Sequence, residues 1–110
     1  MKSEAEIIEA VDAEFGQTCE YVRPEYGRTI RQRLAELDAR AKAGVNLAVL
    51  VPGRTDTRWA WDYCRQWEVR IIRGRVRFDG HRGGAPFPSM LVVMGPAAQP
   101  ARVLHWELPS

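Results

Sequence analysis

Residues 19 to 30 read CEYVRPEYGRTI, a short apolar stub that runs into Arg23-Pro24-Glu25-Tyr26 just before a helical pattern begins. A strand that ends in Pro and Tyr at the mouth of an α/β unit is a place where enzymes keep chemistry, because ligands of such sheets bind beyond the strand ends. A second group of candidates is cationic: the basic residues are fourteen Arg against two Lys, including Arg54, Arg65, Arg70, Arg73, Arg75, Arg77 and Arg82. The planar guanidinium fork suits phosphate and carboxylate. A third group is acidic, with Glu4, Glu6, Glu9, Asp12 and Glu14 clustered near the start of the chain. Cys19 and Cys64 form no C-x-x-C pair, so free thiols are expected, and His81 and His105 supply no ligand set for a metal. Both histidines read as surface or packing residues.

Charge is distributed unevenly. Residues 1–25 carry seven acids against two bases, net −5, while residues 26–110 carry fourteen bases against seven acids, net +7. A length of 110 residues fits one domain, and a composition of 45% hydrophobic and 27% charged residues is ordinary for a globular protein. No apolar run approaches the roughly 20 residues that span a bilayer. The opening MKSEAEIIEA is acidic rather than signal-like. A cytoplasmic protein without a membrane partner is therefore expected.

The elements that must position these groups follow from periodicity. Ser3-x-x-Glu6 is a capping box, with Ile7, Ile8, Val11 and Phe15 on one helical face and Gly16 at its end. The acids cover the rest of that helix, either as a solvated face or as a surface for a basic partner. A short strand, 18–22, precedes the Arg-Pro-Glu-Tyr stretch. Residues 28–43 read as a second helix, with Ile30, Leu34, Leu37 and Ala41 on one side and Gly44 beyond. The run NLAVLV, 46–51, is apolar on both faces, as a covered parallel strand requires. Thr55-Asp56-Thr57 offers caps for a third helix along which Trp59, Tyr63 and Trp67 recur every four residues, a core-packing spacing.

Strands are expected at 68–72 and 74–78, where Arg75 and Arg77 point one way and Val76 and Phe78 the other. SMLVVM, 89–94, is another buried strand, and alternation in the tail predicts an edge strand there. Alternating helices and strands imply crossovers and a mainly parallel sheet of four or five strands with helices packed on it. The late strands lack helices between them, so at least one runs antiparallel. The expected organisation is a single domain: an acidic helix over 1–16, a body over 18–96 and a tail over 97–110.

Three stretches then line up: 49–59 (VLVPGRTDTRW), 72–78 (IRGRVRF) and 85–93 (APFPSMLVV). In order and spacing they resemble the C-terminal half of phage-type DNA N6-adenine methyltransferases, whose pattern runs LVPxRTDTxW, GRxxF, APFPSxLVxF. The resemblance covers about residues 19–96 and implies a truncated Rossmann-like half. It also places VRPEYGR, 22–28, on the family's V-N-P-P-Y-G catalytic motif, in which the Asn oxygen and the first Pro carbonyl accept the adenine amine's hydrogens while the Tyr stacks on the flipped base. Here Arg23 stands for the Asn, and a guanidinium has donors but no acceptor. Glu25 replaces the second Pro, while Pro24 and Tyr26 remain. The strands and Gly-rich turn that hold S-adenosylmethionine have no counterpart in the 22 residues before Arg23.

The resemblance therefore implies a disabled site, no cofactor and no catalysis. It suggests a phage- or prophage-encoded binding protein, with an inhibitor of a host defence system (anti-CRISPR or anti-restriction) as the leading expectation. A DNA-binding accessory domain and a methyltransferase fragment active only with a partner are the alternatives. The binding residues expected are Arg54, Arg70, Arg73, Arg75, Arg77 and Arg82, with the acidic helix as a second partner face. An open sheet edge would suit a homodimer.

Overall fold

Ser3 begins the first helix by accepting a hydrogen bond from the Glu6 backbone N–H, while the Glu6 carboxylate accepts from the Ser3 N–H, closing the expected capping box. The computed structural model of the chain describes residues 2–78, 86–99 and 101–108. In order, its elements are β1 (Lys2–Ser3), α1 (Glu4–Phe15), β2 (Cys19–Val22), α2 (Ile30–Lys42), β3 (Asn46–Pro52), α3 (Arg58–Tyr63), β4 (Glu68–Ile72), β5 (Val76–Arg77), β6 (Ser89–Met94) and β7 (Val103–Trp106). Gly16 ends α1 at φ +65°, where its N–H donates to the Asp12 carbonyl.

The main sheet has five strands in the order β2-β3-β6-β4-β7. β2 and β3 run parallel, as do β4 and β7, while β6 is antiparallel to both β3 and β4. The protein is thus an α/β fold with a mixed five-stranded sheet, in which β2, β3, β4 and β7 run one way and β6 the other. The late strand that arrives without a helix, β6, is the reversed one, and β7 forms an edge. β1 and β5 pair in parallel as a separate two-stranded ribbon, Lys2 opposite Val76 and Ser3 opposite Arg77.

The central strands are buried on both faces. On one side Leu47, Val49, Val51, Met90, Val92 and Met94 pack against Ile30, Leu34, Leu37 and Ala41 of α2 and against Trp59 and Ala60 of α3. On the other, Ala48, Leu50, Leu91 and Val93 meet Ile7 and Val11 of α1, with Val76 and Leu108 alongside. α1 therefore covers the sheet face opposite α2 and α3.

Two elements are shorter than their periodicity suggested. α2 begins at Ile30, because Arg28 and Thr29 form a turn in which the Ile30 N–H reaches the Gly27 carbonyl at 3.3 Å. α3 stops at Tyr63: the N–H groups of Cys64 and Arg65 both return to the Ala60 carbonyl, which ends the winding. Trp67 lies beyond the helix and is half-buried against the core. Its indole N–H donates to Asp38 at 2.8 Å, and Asp38 is itself only 5% exposed. Gln66 and Lys42 complete that carboxylate's partners, so its burial is satisfied.

Candidate functional site

β2 and β3 are parallel neighbours, so the segments that leave them, 23–29 and 53–57, emerge at one edge of the sheet. β6 is antiparallel and starts with Ser89 beside Pro52, which brings residues 86–88 to the same edge. The Gly53 N–H donates to the Pro88 carbonyl at 2.7 Å, and a Cβ at position 53 would crowd that oxygen. This close approach gathers Tyr26, Arg54 and Phe87. Arg54 donates to the Tyr26 hydroxyl at 3.1 Å, and its guanidinium lies 5.1 Å from the Phe87 ring centroid. The Tyr26 and Phe87 rings sit 5.6 Å apart at 60°. Tyr26 is 44% exposed, so this cationic–aromatic trio faces solvent.

Arg23, just past β2, turns towards α1. Its Nε donates to the Glu4 carboxylate at 2.8 Å, and its guanidinium stacks 4.5 Å from the Phe78 ring centroid. The Tyr21 hydroxyl donates to the same Glu4 oxygen at 2.8 Å. Burial, then that carboxylate, pushes the Tyr21 phenol well above its ordinary range. Position 23 thus presents a donor whose charge is already engaged. Pro24 is buried, and Glu25 lines an open groove of about 360 Å³ with Thr29, Gln32, Arg33 and Glu36.

The remaining arginines separate. Arg70 is buried and does not reach the surface as expected: its Nη atoms donate to both oxygens of Glu14 at 2.6 Å, its Nε to Glu68 at 2.6 Å. Phe15 and Trp106 flank the guanidinium at 5.4 and 5.2 Å. Arg73 pairs with Glu107 at 2.9 Å, with both side chains exposed. Arg75 donates to the Pro86 carbonyl at 2.6 Å, which ties it to the segment that carries Phe87. Arg77 is exposed, and Arg65 stacks over Trp61 on α3. Arg82 and His81 fall outside the described residues.

The acidic helix is largely occupied from within. Glu4 holds Arg23 and Tyr21, Glu6 closes the cap, and Glu14 clamps Arg70. The hydrogen bonds from Arg70 hold the Glu14 carboxyl below its usual range, and the Ser3 N–H does the same for Glu6. Only Glu9 and Asp12 of the five expected acids remain exposed without a side-chain partner among the described residues. The cysteines are free and buried; burial pushes the Cys64 thiol up to about 12 and raises that of Cys19, so neither is a ready nucleophile.

Two features escaped the sequence reading. The Glu68–Arg70–Glu14 cluster had a signal, since Glu68 and Arg70 alternate onto one face of a strand. Trp61 also had one: two residues from the buried Trp59, it falls on the far side of α3 and is 56% exposed. No family model, curated protein or solved structure matches the chain. Among the described residues no helix is long and apolar enough to cross a membrane.

Proposed function

We propose that the chain is a non-catalytic binding protein descended from a DNA N6-adenine methyltransferase and carried by phages or prophages. On this reading it acts through its surface, by contact with a protein of a host defence system. The observation that carries the reading is Arg23. Where the resemblance calls for a side chain that accepts the amine's hydrogens, the protein has a guanidinium engaged by Glu4 at 2.8 Å. A second support is the architecture. The half-sheet that the resemblance implies starts at the strand before the VRPEYGR motif and has four strands with two helices; β2, β3, β6 and β4 with α2 and α3 agree with it. That agreement favours a truncated Rossmann-like ancestry.

The test is transfer of labelled methyl groups from S-adenosylmethionine to adenine-containing DNA by the purified chain, with calorimetry of S-adenosylmethionine alongside. Neither transfer nor micromolar binding is expected, and Arg23→Asn is expected to leave the chain inactive, because an acceptor for the amine does not by itself create a site that holds the methyl donor. Transfer by the purified chain would overturn the reading. Activity that appears only with a second subunit would favour the partnered-fragment alternative.

The Tyr26–Arg54–Phe87 trio favours one other reading, a DNA-binding accessory domain. Duplex binding that weakens with salt and with Arg54→Ala or Arg75→Ala would select it.

A further inference from the structure

α3 is amphipathic in an unusual sense. Its inner face buries Trp59 and Ala60, and its outer face exposes another tryptophan where polar residues are the rule. Arg58 and Trp61, three residues apart, are neighbours on α3, and Arg65, in the turn just beyond it, folds back over Trp61. All three are exposed. The cluster is organised rather than loose: the Arg65 guanidinium lies 4.8 Å from the Trp61 ring centroid, and its Nε donates to the Trp61 carbonyl at 2.8 Å. Neither Arg58 nor Arg65 has a carboxylate partner among the described residues. Asp62, the acid next to the cluster, is already neutralised by Arg31 at 2.6 Å.

We infer that the Arg58–Trp61–Arg65 cluster is a binding site for single-stranded nucleic acid, with an unpaired base stacking on the indole face opposite the Arg65 guanidinium and the two arginines meeting the flanking phosphates. The chemistry selects this occupant over others. An acidic peptide would satisfy the arginines but offers no π face to the indole. Duplex DNA supplies phosphates, but its bases are stacked on one another and leave the indole idle. A single strand uses both, since every base has a face to stack and every linkage a negative charge. This site is separate from the Tyr26–Arg54–Phe87 edge and does not depend on the methyltransferase reading, so an inert methyl-transfer assay leaves it standing.

The experiment is fluorescence anisotropy of a labelled oligothymidylate titrated with the intact chain, with the same sequence as duplex and polyglutamate as competitors. Expected are binding that weakens as salt rises and at least about a fivefold loss of affinity in Trp61→Ala, the lower range for one stacked base. Trp61→Phe should retain most of the affinity, while Arg58→Ala and Arg65→Ala should each flatten the salt dependence. Because all three side chains are exposed, the variants should fold, and circular dichroism checks that they do. Absence of binding, indifference to Trp61→Ala, or equal competition by duplex or polyglutamate would each overturn the inference.

Discussion

At 6% exposure, Arg70 meets carboxylates on two sides, Glu14 from α1 and Glu68 from its own strand. Removing it would leave Glu68, 3% exposed, with little beyond the Gln99 N–H at 2.9 Å. Loss of one partner from a buried pair costs about 3–5 kcal/mol, and Arg70→Met is expected to lose that much in urea unfolding. Glu14→Gln should cost no more than about 1 kcal/mol, because the Glu14 side chain is 42% exposed and solvent screens it. The sign of the pH dependence follows from the same contact. The Arg70 hydrogen bonds lower the Glu14 carboxyl below its ordinary 4.5 in the folded state. The pair therefore stabilises the fold above that value and is lost as pH falls through the lower folded one. Arg40 acts on Glu20 in the same direction. Melting temperature should drop below about pH 4.5, and the drop should be shallower in Glu14→Gln; matching slopes in the two proteins would contradict this. Gly95 is a purely steric case: at φ +102° a Cβ would collide with the Val45 carbonyl at the start of β3. Gly95→Ala should cost at least about 2 kcal/mol in the same measurement.

Among the elements, α1 answers for one whole face of the sheet. Ile7 and Val11 are fully buried against Ala48, Leu50, Leu91 and Val93. Ile7→Ala should cost about 2–5 kcal/mol, against about 1 kcal/mol for removing the Ser3 cap. Deleting residues 2–15 should expose that face and cause aggregation, read by light scattering; a well-behaved shortened chain would show that α1 is not structural. α1, β3 and β6 were legible in the sequence because their signals are local: a capping box, and apolar runs of strand length. α3 was read too long because Trp59, Tyr63 and Trp67 keep a helical interval by coincidence, the last being held by Asp38 from α2 instead. The β1–β5 ribbon, two residues to each strand, leaves no periodic trace and depends on a distant pairing. Of the site, Arg54 and Tyr26 could be placed from the strand ends that precede them. Phe87 could not, since its arrival depends on β6 running backwards between β3 and β4. Nor could the neutralisation of the acidic helix, which is a tertiary event between Glu4, Glu14 and their arginines.

For the molecule as a whole, the two outer strands decide how it meets another copy. β2 lies at one end of the sheet and is dressed with paired charges, Glu20 with Arg40 at 2.8 Å and the adjoining Arg23 with Glu4 at 2.8 Å. β7 lies at the other end and is barer: Val103 is 64% exposed, and no proline interrupts the strand. The Arg102 and Trp106 carbonyls accept from Val69 and Arg73 of the β4 side. The alternate residues Val103 and His105 therefore turn their N–H and C=O groups outward. A two-fold antiparallel pairing centred on Leu104 would place Val103 opposite His105 of a second copy. Such a contact is two-fold symmetric, but four residues bury too little surface for a tight dimer. Weak, concentration-dependent association in the micromolar range is the expectation by light scattering. Val103→Lys, which puts a charge on the edge, should abolish it without lowering stability. A constant monomer mass across that range, or association that survives Val103→Lys, would show that β7 is not where copies meet.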